Sequence, residues 1–160
     1  MKFFIKILLV LSLFQFGASA HANDHINTVA DFAHIIDFGS NRVLMSKNAD
    51  SPMKPASMAK IMTLYIVFSR IAEGSLTLQD EFLVSEKAWK MGGSRSFLDV
   101  GTRVSVEELI NGIAVQSGND AAVVVAEGIS GSEEAFADEM NSFARQLGMD
   151  DTNFTNSTGW

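Results

Sequence analysis

Residues Pro55 to Phe68 read PASMAKIMTLYIVF, a short polar start that passes into a mostly apolar run. This pattern predicts a buried helix that opens at a serine and carries a lysine three residues later. Because positions i and i+3 share one face of a helix, the amine of Lys60 can lie over the hydroxyl of Ser57. A hydroxyl and an amine are therefore predicted to meet at the start of this helix.

The surroundings of Lys60 favour a catalytic role for the pair. It is the only charged residue between Lys54 and Arg70, and burial disfavours the ammonium form of a lysine, by up to about 3–5 pKa units in extreme cases. A lysine with such a low pKa can accept the proton of a serine and so activate a hydroxyl nucleophile without histidine. The leading hypothesis is an acyl-enzyme hydrolase. The alternative is a lysine that extends along its own stem to the surface.

The same Ser-x-x-Lys spacing occurs a second time, at Ser51 and Lys54. That copy has a proline in its second position and lies in a polar stretch, so it is interpreted as a connecting loop with a solvated lysine. The pair Ser57 and Lys60 combines the spacing with a helix and apolar neighbours. The context, and not the spacing, therefore selects the candidate nucleophile.

A second candidate group is formed by Ser117 and Asn119, which are separated by a glycine and lie between two predicted helices. A loop at this place can present a hydroxyl and a carboxamide to one cleft. The hydroxyl could pass a proton to a leaving amine, and the carboxamide could bind a peptide oxygen or hold the lysine. The pattern is weak alone, since Ser46 to Asn48 also matches it, and a helix break followed by a cap is the simpler interpretation.

The first half of the chain predicts a hairpin and one long helix. Apolar strands within residues 29–48 flank a turn at Gly39 to Asn41, which is typical of a β-hairpin. A loop follows, and then a helix from about Ala56 to Ala72. Residues 76–103 have a mixed pattern with glycine turns.

The second half predicts three helices. Ser105 and Glu108 form a capping-box pattern at the start of a helix that ends near Gln116. A small-residue helix at 120–127 is predicted to be capped by Asp120 or Asn119, and an amphipathic helix spans about 132–147. The last residues, 155–160, are turn-like.

The first twenty residues have the pattern of a secretory signal peptide. Lys2 and Lys6 precede an apolar stretch at 7–16, and small residues lead to a cleavage site after Ala20, with a cut after Ala22 as an alternative. The stretch is short for a membrane span of about 20 residues, and an uncleaved anchor is the other interpretation. We therefore expect export and a mature domain that begins at residue 21.

The charge and composition limit the possible partners. Two of the 12 basic residues and none of the 19 acidic ones lie in the first twenty, which leaves a net charge of −9 for the mature domain. This balance argues against nucleic acid as a partner. The chain has no cysteine, so an exported domain would depend on its core and not on disulfides. His21, Asp24 and His25 flank the cleavage point, and we predict no metal there.

Taken together, the pair Ser57 and Lys60, the loop from Ser117 to Asn119 about sixty residues later, and the export signal resemble the penicillin-binding D-alanyl-D-alanine carboxypeptidases. These are the low-molecular-weight serine peptidases of the bacterial wall. The resemblance runs from about residue 30 to the end and is carried by residues 48–57, 97–101, 106–110, 116–121 and 156–159. It implies an α/β (α+β) architecture, the serine β-lactamase/DD-peptidase-like fold, here as an N-terminal hairpin of an antiparallel sheet plus the mostly helical subdomain.

The resemblance also implies a mechanism. Ser57 would attack the D-Ala-D-Ala peptide bond of a peptidoglycan stem peptide while Lys60 takes its proton, and water would hydrolyse the acyl-enzyme after D-alanine leaves. Ser117 would relay protons, and Asn119 would orient the substrate or the lysine. The backbone N–H of Ser57 would form half of an oxyanion hole, and β-lactams would acylate the same serine. No metal or organic cofactor is implied.

One family motif is absent from these 160 residues. It is Lys-Thr-Gly, which in the family binds the substrate carboxylate and supplies the other oxyanion donor. The family's remaining strands, its C-terminal β-rich domain and its terminal amphipathic helix are also not found. We therefore expect residues 21–160 to be an incomplete N-terminal part of the catalytic domain. A full-length form would be periplasmic and associated with the inner membrane through a C-terminal segment.

Three alternatives stay open at this point. A class A β-lactamase would share Ser57 and Lys60, but that class usually has Asp where this chain has Gly118, and no glutamate here has the expected Glu-x-x-Leu-Asn context. A DD-endopeptidase of the same family would use the same residues. The third alternative is a non-catalytic, truncated remnant that binds penicillin. It is favoured if the protein itself has no Lys-Thr-Gly motif.

Overall fold

The computed structural model describes residues 28–160 and divides the chain into two units, one up to Met53 and one from Lys54 onward. The predicted signal peptide, residues 1–20, and the residues from His21 to His25 lie outside the described part. Among residues 28–160, no helix has the length and apolar character needed to cross a membrane.

The first unit contains the predicted β-hairpin, which is confirmed. Strand β1 (Ala33–Ile36) pairs antiparallel with β2 (Val43–Lys47), with a bulge between Ile35 and Ile36. The turn is closed by the Asn41 N–H, which donates to the Asp37 carbonyl at 2.8 Å. The side chains on both strands are mostly exposed, so local pairing and the turn account for this element.

The second unit is mainly helical. A 3-10 helix (Ala56–Ala59) leads directly into helix α1 (Lys60–Ala72), as the predicted helix start requires. Strands β3 (Glu81–Leu83) and β4 (Arg103–Ser105) form a small antiparallel pair within the stretch of mixed pattern. The remaining elements are the helices α2 (Glu86–Trp89), α3 (Val106–Gln116), α4 (Asn119–Ser130) and α5 (Glu133–Gln146).

Two helix starts show why these segments are helical. At α3 the predicted capping box is confirmed, since the Glu108 N–H donates to Ser105 Oγ and the Ser105 N–H donates to the Glu108 carboxylate, both at 3.3 Å. At α5 the hydroxyl of Ser132 accepts from the Ala135 N–H at 3.0 Å. Each cap satisfies amide groups that the first turn leaves free.

The predicted cap of α4 is wrong. The helix is longer than predicted, and its N-cap residue is Gly118, which offers no side chain. The carboxylate of Asp120 instead accepts from the backbone N–H of Ser96 at 2.8 Å and of Leu98 at 3.3 Å. These amides need a buried acceptor, so Asp120 fixes the loop before β4, and its carboxylate also accepts from the Ala121 N–H at 2.9 Å without being the N-cap residue.

The core of this unit is centred on α4. Every residue from Ala121 to Ala126 is fully buried, and the small alanine and valine side chains let other helices approach closely. Ile66 of α1, Leu109 of α3 and Phe136 of α5 are also fully buried in this core. Truncating a residue such as Phe136 is expected to cost about 3–5 kcal/mol. The helices α1 and α4 are thus packed in one hydrophobic core.

Candidate active site

Ser57 and Lys60 meet at the start of α1 as their spacing predicts. Lys60 is 3% exposed, and its amine donates hydrogen bonds to Ser57 Oγ at 3.2 Å and to the carbonyl oxygen of Thr158 at 3.1 Å. Ser57 itself is exposed. Burial lowers the pKa of Lys60 below the usual range of a lysine. An accessible hydroxyl therefore lies beside an amine that loses its proton more readily than a solvated one.

The backbone before Ser57 has an uncommon conformation. Ala56 lies in the left-handed region with φ 48°, a conformation that costs a residue other than glycine about 1–3 kcal/mol. Gly159, at φ 74°, approaches this peptide so closely that a Cβ added there would overlap the carbonyl oxygen of Ala56. The close contact explains why glycine is needed at 159, and it ties the last residues to the backbone that presents Ser57.

The residues from Phe154 to Thr158 complete the surroundings of Lys60. They form neither helix nor strand, as predicted, yet Ser157 and Thr158 are buried. The hydroxyl of Thr63 donates to the Ser157 carbonyl at 2.7 Å, and the amide of Asn141 is bonded to the backbone of Phe154 in both directions, at 2.7 and 2.8 Å. An irregular segment is thus held in place by side chains of α1 and α5.

The second candidate group lies at the junction of α3 and α4. Ser117 ends α3 in the left-handed conformation, at φ 55° and ψ 36°, and is half-buried. Asn119 is 3% exposed, its side-chain nitrogen donates to the Gly92 carbonyl at 2.8 Å, and its backbone N–H donates to the Ser94 carbonyl at 2.8 Å. The predicted break between the helices is confirmed, and Asn119 fastens the loop at Gly92 to it.

Trp160 packs against the loop at Gly92 and Gly93. A Cβ added to Gly92 would lie 2.6 Å from the indole ring of Trp160, and one added to Gly93 would lie 2.8 Å from the side-chain nitrogen of Asn119. Trp160 thus packs against the glycine loop that Asn119 holds, and its neighbour Gly159 contacts the peptide before Ser57.

The hydrogen bonds show which predicted residues contact each other. Within residues 28–160, the side chain of Lys60 bonds to Ser57 and Thr158, while Asn119 bonds to backbone groups of the neighbouring loop. A hydroxyl and a buried amine are thus in direct contact, and the side chain of Asn119 is hydrogen-bonded to Gly92. The part of the chain that the structure describes has no cluster of three or more side chains suited to a metal ion.

Sequence reasoning missed the groups near Lys60 that come from distant positions in the chain. Thr158 supplies its carbonyl from 98 residues away, and Ser157 accepts from Thr63 over 94 residues. Residues 156–159 were recognised as similar to a family segment, but no local pattern says what a backbone carbonyl will contact. These contacts follow from tertiary packing alone.

The chain is similar to known proteins. Residues 18–160 match the family described as D-alanyl-D-alanine carboxypeptidase. The chain is 40% identical over 166 aligned positions to D-alanyl-D-alanine carboxypeptidase DacF of Bacillus subtilis, an alignment that covers 99% of this chain and 43% of the relative. The chain thus spans less than half the length of this curated relative.

Two solved structures are similar to this one. The D-alanyl-D-alanine carboxypeptidase DacD from Francisella tularensis is 40% identical with a TM-score of 0.81, over 84% of this chain and 33% of that one. Penicillin binding protein 5 from Haemophilus influenzae is 37% identical with a TM-score of 0.80, over 84% and 40% of the two chains. The fold is therefore the serine β-lactamase/DD-peptidase-like fold, as the sequence predicted. Within this class, the chain belongs to the D-alanyl-D-alanine carboxypeptidase family.

Proposed function

We propose that the protein is a serine-type D-Ala-D-Ala carboxypeptidase that removes the terminal D-alanine from peptidoglycan stem peptides. The observation that carries this proposal is the contact of 3.2 Å between the buried amine of Lys60 and the exposed hydroxyl of Ser57. Family membership supports the substrate class, since the relatives are named for this activity. β-Lactams are the proposed inhibitors, because a penicillin binding protein has the same fold.

The first step of the proposed reaction forms the acyl-enzyme. Lys60 in its neutral form accepts the proton of Ser57, and Ser57 Oγ bonds to the carbonyl carbon of the penultimate D-alanine. The tetrahedral intermediate then collapses, the carbon–nitrogen bond breaks, and the leaving amine takes up a proton. The hydroxyl of Ser117 is the proposed relay for that proton. The backbone N–H of Ser57 is the proposed oxyanion donor.

The second step returns the enzyme to its starting state. Water attacks the ester at Ser57, loses a proton to Lys60, and releases the shortened peptide, while Ser57 Oγ regains a proton. Asn119 is proposed to orient the substrate. Its nitrogen bonds to the Gly92 carbonyl at 2.8 Å. This bond restrains the carboxamide, and its oxygen is the proposed acceptor for the substrate.

Export is part of the proposal. Residues 1–20, with their basic start and small-residue cleavage site, are proposed to direct the protein to the periplasm, where peptidoglycan stem peptides lie. Association with the inner membrane is proposed for the full-length form. The alignment covers 43% of the relative from Bacillus subtilis, so the assay uses the complete product of the gene.

The test is release of D-alanine from a synthetic peptide that ends in D-Ala-D-Ala, with a peptide that ends in D-Ala-L-Ala as control. The proposal predicts free D-alanine from the first peptide, and its loss in a Ser57→Ala variant. Absence of both D-alanine and a covalent penicillin adduct would contradict it. A penicillin adduct without D-alanine would indicate the non-catalytic alternative, and cleavage of cross-linked peptides instead would indicate the endopeptidase.

A further inference from the structure

Glu133 is a buried carboxylate that the proposed mechanism does not use. It is the first residue of α5, and its side chain is 10% exposed. One carboxylate oxygen accepts from the hydroxyl of Ser157 at 2.8 Å and from the Ser157 N–H at 3.2 Å, and the other lies 3.1 Å from the amine of Lys87. A buried charge is stable only where such partners surround it.

The neighbouring residue shows what is particular to Glu133. Glu134 also lies beside Lys87, at 3.2 Å, but its side chain is 79% exposed. Lys87 therefore has a carboxylate partner besides Glu133. The contact that distinguishes Glu133 from Glu134 is the double hydrogen bond to Ser157.

Ser157 is adjacent in the chain to Thr158, whose carbonyl contacts the amine of Lys60. Its carbonyl accepts from Thr63 at 2.7 Å, and the next carbonyl, that of Thr158, accepts from Lys60 at 3.1 Å. An amine that donates one N–H to a fixed carbonyl keeps only two directions for its other hydrogen and its lone pair, and in this site one of them faces Ser57. Holding Ser157 by its N–H, its hydroxyl and its carbonyl therefore fixes the neighbouring Thr158 carbonyl and limits the directions open to the lone pair of Lys60.

We propose that Glu133 is a positioning residue for the base, which acts through Ser157 and the Thr158 carbonyl to orient Lys60 toward Ser57. This inference rests on the proposed function for its consequence in catalysis. It predicts that the acylation rate depends on an acceptor oxygen at position 133 and does not require a negative charge there.

The test compares Glu133→Ala, Glu133→Gln and Glu134→Ala in the complete gene product. Glutamine keeps an acceptor oxygen for Ser157, and Glu134→Ala removes a carboxylate from Lys87 without touching Ser157. We expect Glu133→Ala to slow acylation by labelled penicillin at saturation by about 10- to 100-fold, the size of effect produced by small displacements of reacting groups. The affinity of the initial complex should stay unchanged, whereas the other two variants should acylate at the parent rate.

Two outcomes would overturn the inference: an unchanged acylation rate in folded Glu133→Ala, or a Glu133→Gln variant as slow as Glu133→Ala. If Glu133→Ala does not fold, Ser157→Ala removes the hydroxyl donor alone and must still slow acylation. A parent protein that penicillin does not label would count against the proposed function. In that case the ¹⁵N chemical shift of the Lys60 amine still shows whether Glu133 positions Lys60. This shift must change in Glu133→Ala and remain unchanged in Glu133→Gln.

Discussion

The pairs Ser57–Lys60 and Ser51–Lys54 have the same spacing, lie six residues apart and differ in nearly every physical respect. Ser51 and Lys54 lie in irregular chain, and both side chains are exposed. Ser57 lies in a 3-10 helix, and Lys60 opens α1 with its amine buried and bonded to Ser57. The difference shows that spacing brings a hydroxyl and an amine together only where the backbone is helical.

Burial adds what the helix alone does not supply. The core beneath α1 and the segment at Thr158 remove water from the amine of Lys60, which lowers its pKa. Ser57 stays exposed. The hydroxyl and the amine thus lie in opposite environments within one helical turn, which the proposed roles of nucleophile and base require.

The largest expected effect concerns the two serines. Ser57→Ala should abolish covalent labelling by penicillin, because the attacking oxygen is gone, whereas Ser51→Ala should label as the parent does. Fluorescent penicillin and gel electrophoresis of the complete gene product measure both. Labelling that persists in Ser57→Ala would remove the distinction between the two pairs.

The two lysines give the next effect. Lys60→Arg should lower the acylation rate by about 10²–10⁴-fold, the usual contribution of a general base, because a guanidinium cannot take up a proton. The matched variant Lys54→Arg should be as fast as the parent. Stopped-flow acylation compares them, and an active Lys60→Arg enzyme would exclude lysine as the base.

Substitution of Gly159 tests its close contact with the Ala56 carbonyl, which precedes Ser57. Gly159→Ala and Gly131→Ala both place alanine at positive φ, 74° and 81°, which costs about 1–2 kcal/mol. At Gly159 the new Cβ also overlaps the Ala56 carbonyl, whereas nothing lies within 4 Å at Gly131. We expect a further loss of about 1–3 kcal/mol and slower acylation for Gly159→Ala alone. Urea unfolding and acylation assays check this, and equal losses would contradict the close contact.

The smallest expected effect is on pH dependence. The pKa of Lys60 is lower in the folded than in the unfolded protein, so the unfolded chain binds more protons between the two values, and stability rises with pH across that window. Lys60→Met removes this term. Its stability relative to the parent should be greatest below the folded pKa and should decline as pH rises toward the unfolded value. Urea titrations at several pH values, with Lys54→Met as control, measure this difference, and a constant difference would contradict a depressed pKa.

Local patterns predicted the elements that depend on neighbouring residues. The hairpin, helix α1 and the capping box of Ser105 and Glu108 all follow from periodicity and turn chemistry. The three-residue strands β3 and β4 carry too little pattern to be paired in advance. The cap of α4 was predicted wrongly because a distant loop uses the carboxylate of Asp120.

The site divides in the same way. Ser57 and Lys60 are three residues apart, so helix geometry alone could bring them into contact. The carbonyl of Thr158 reaches Lys60, and the carboxylate of Glu133 reaches Ser157, from far along the chain. Contacts of that kind depend on how α1 and α5 pack, and a single sequence does not contain that information in any local form.

The position of the acyl group in penicillin-labelled protein shows most directly whether Ser57 is the nucleophile. Trypsin does not cut between Lys54 and Pro55, so one tryptic peptide, residues 48–60, contains both serines. Fragment ions from the penicillin-labelled protein then show which serine carries the added mass. We expect the adduct on Ser57, with Ser51 unmodified. An adduct on Ser51, or on a peptide outside residues 48–60, would contradict it.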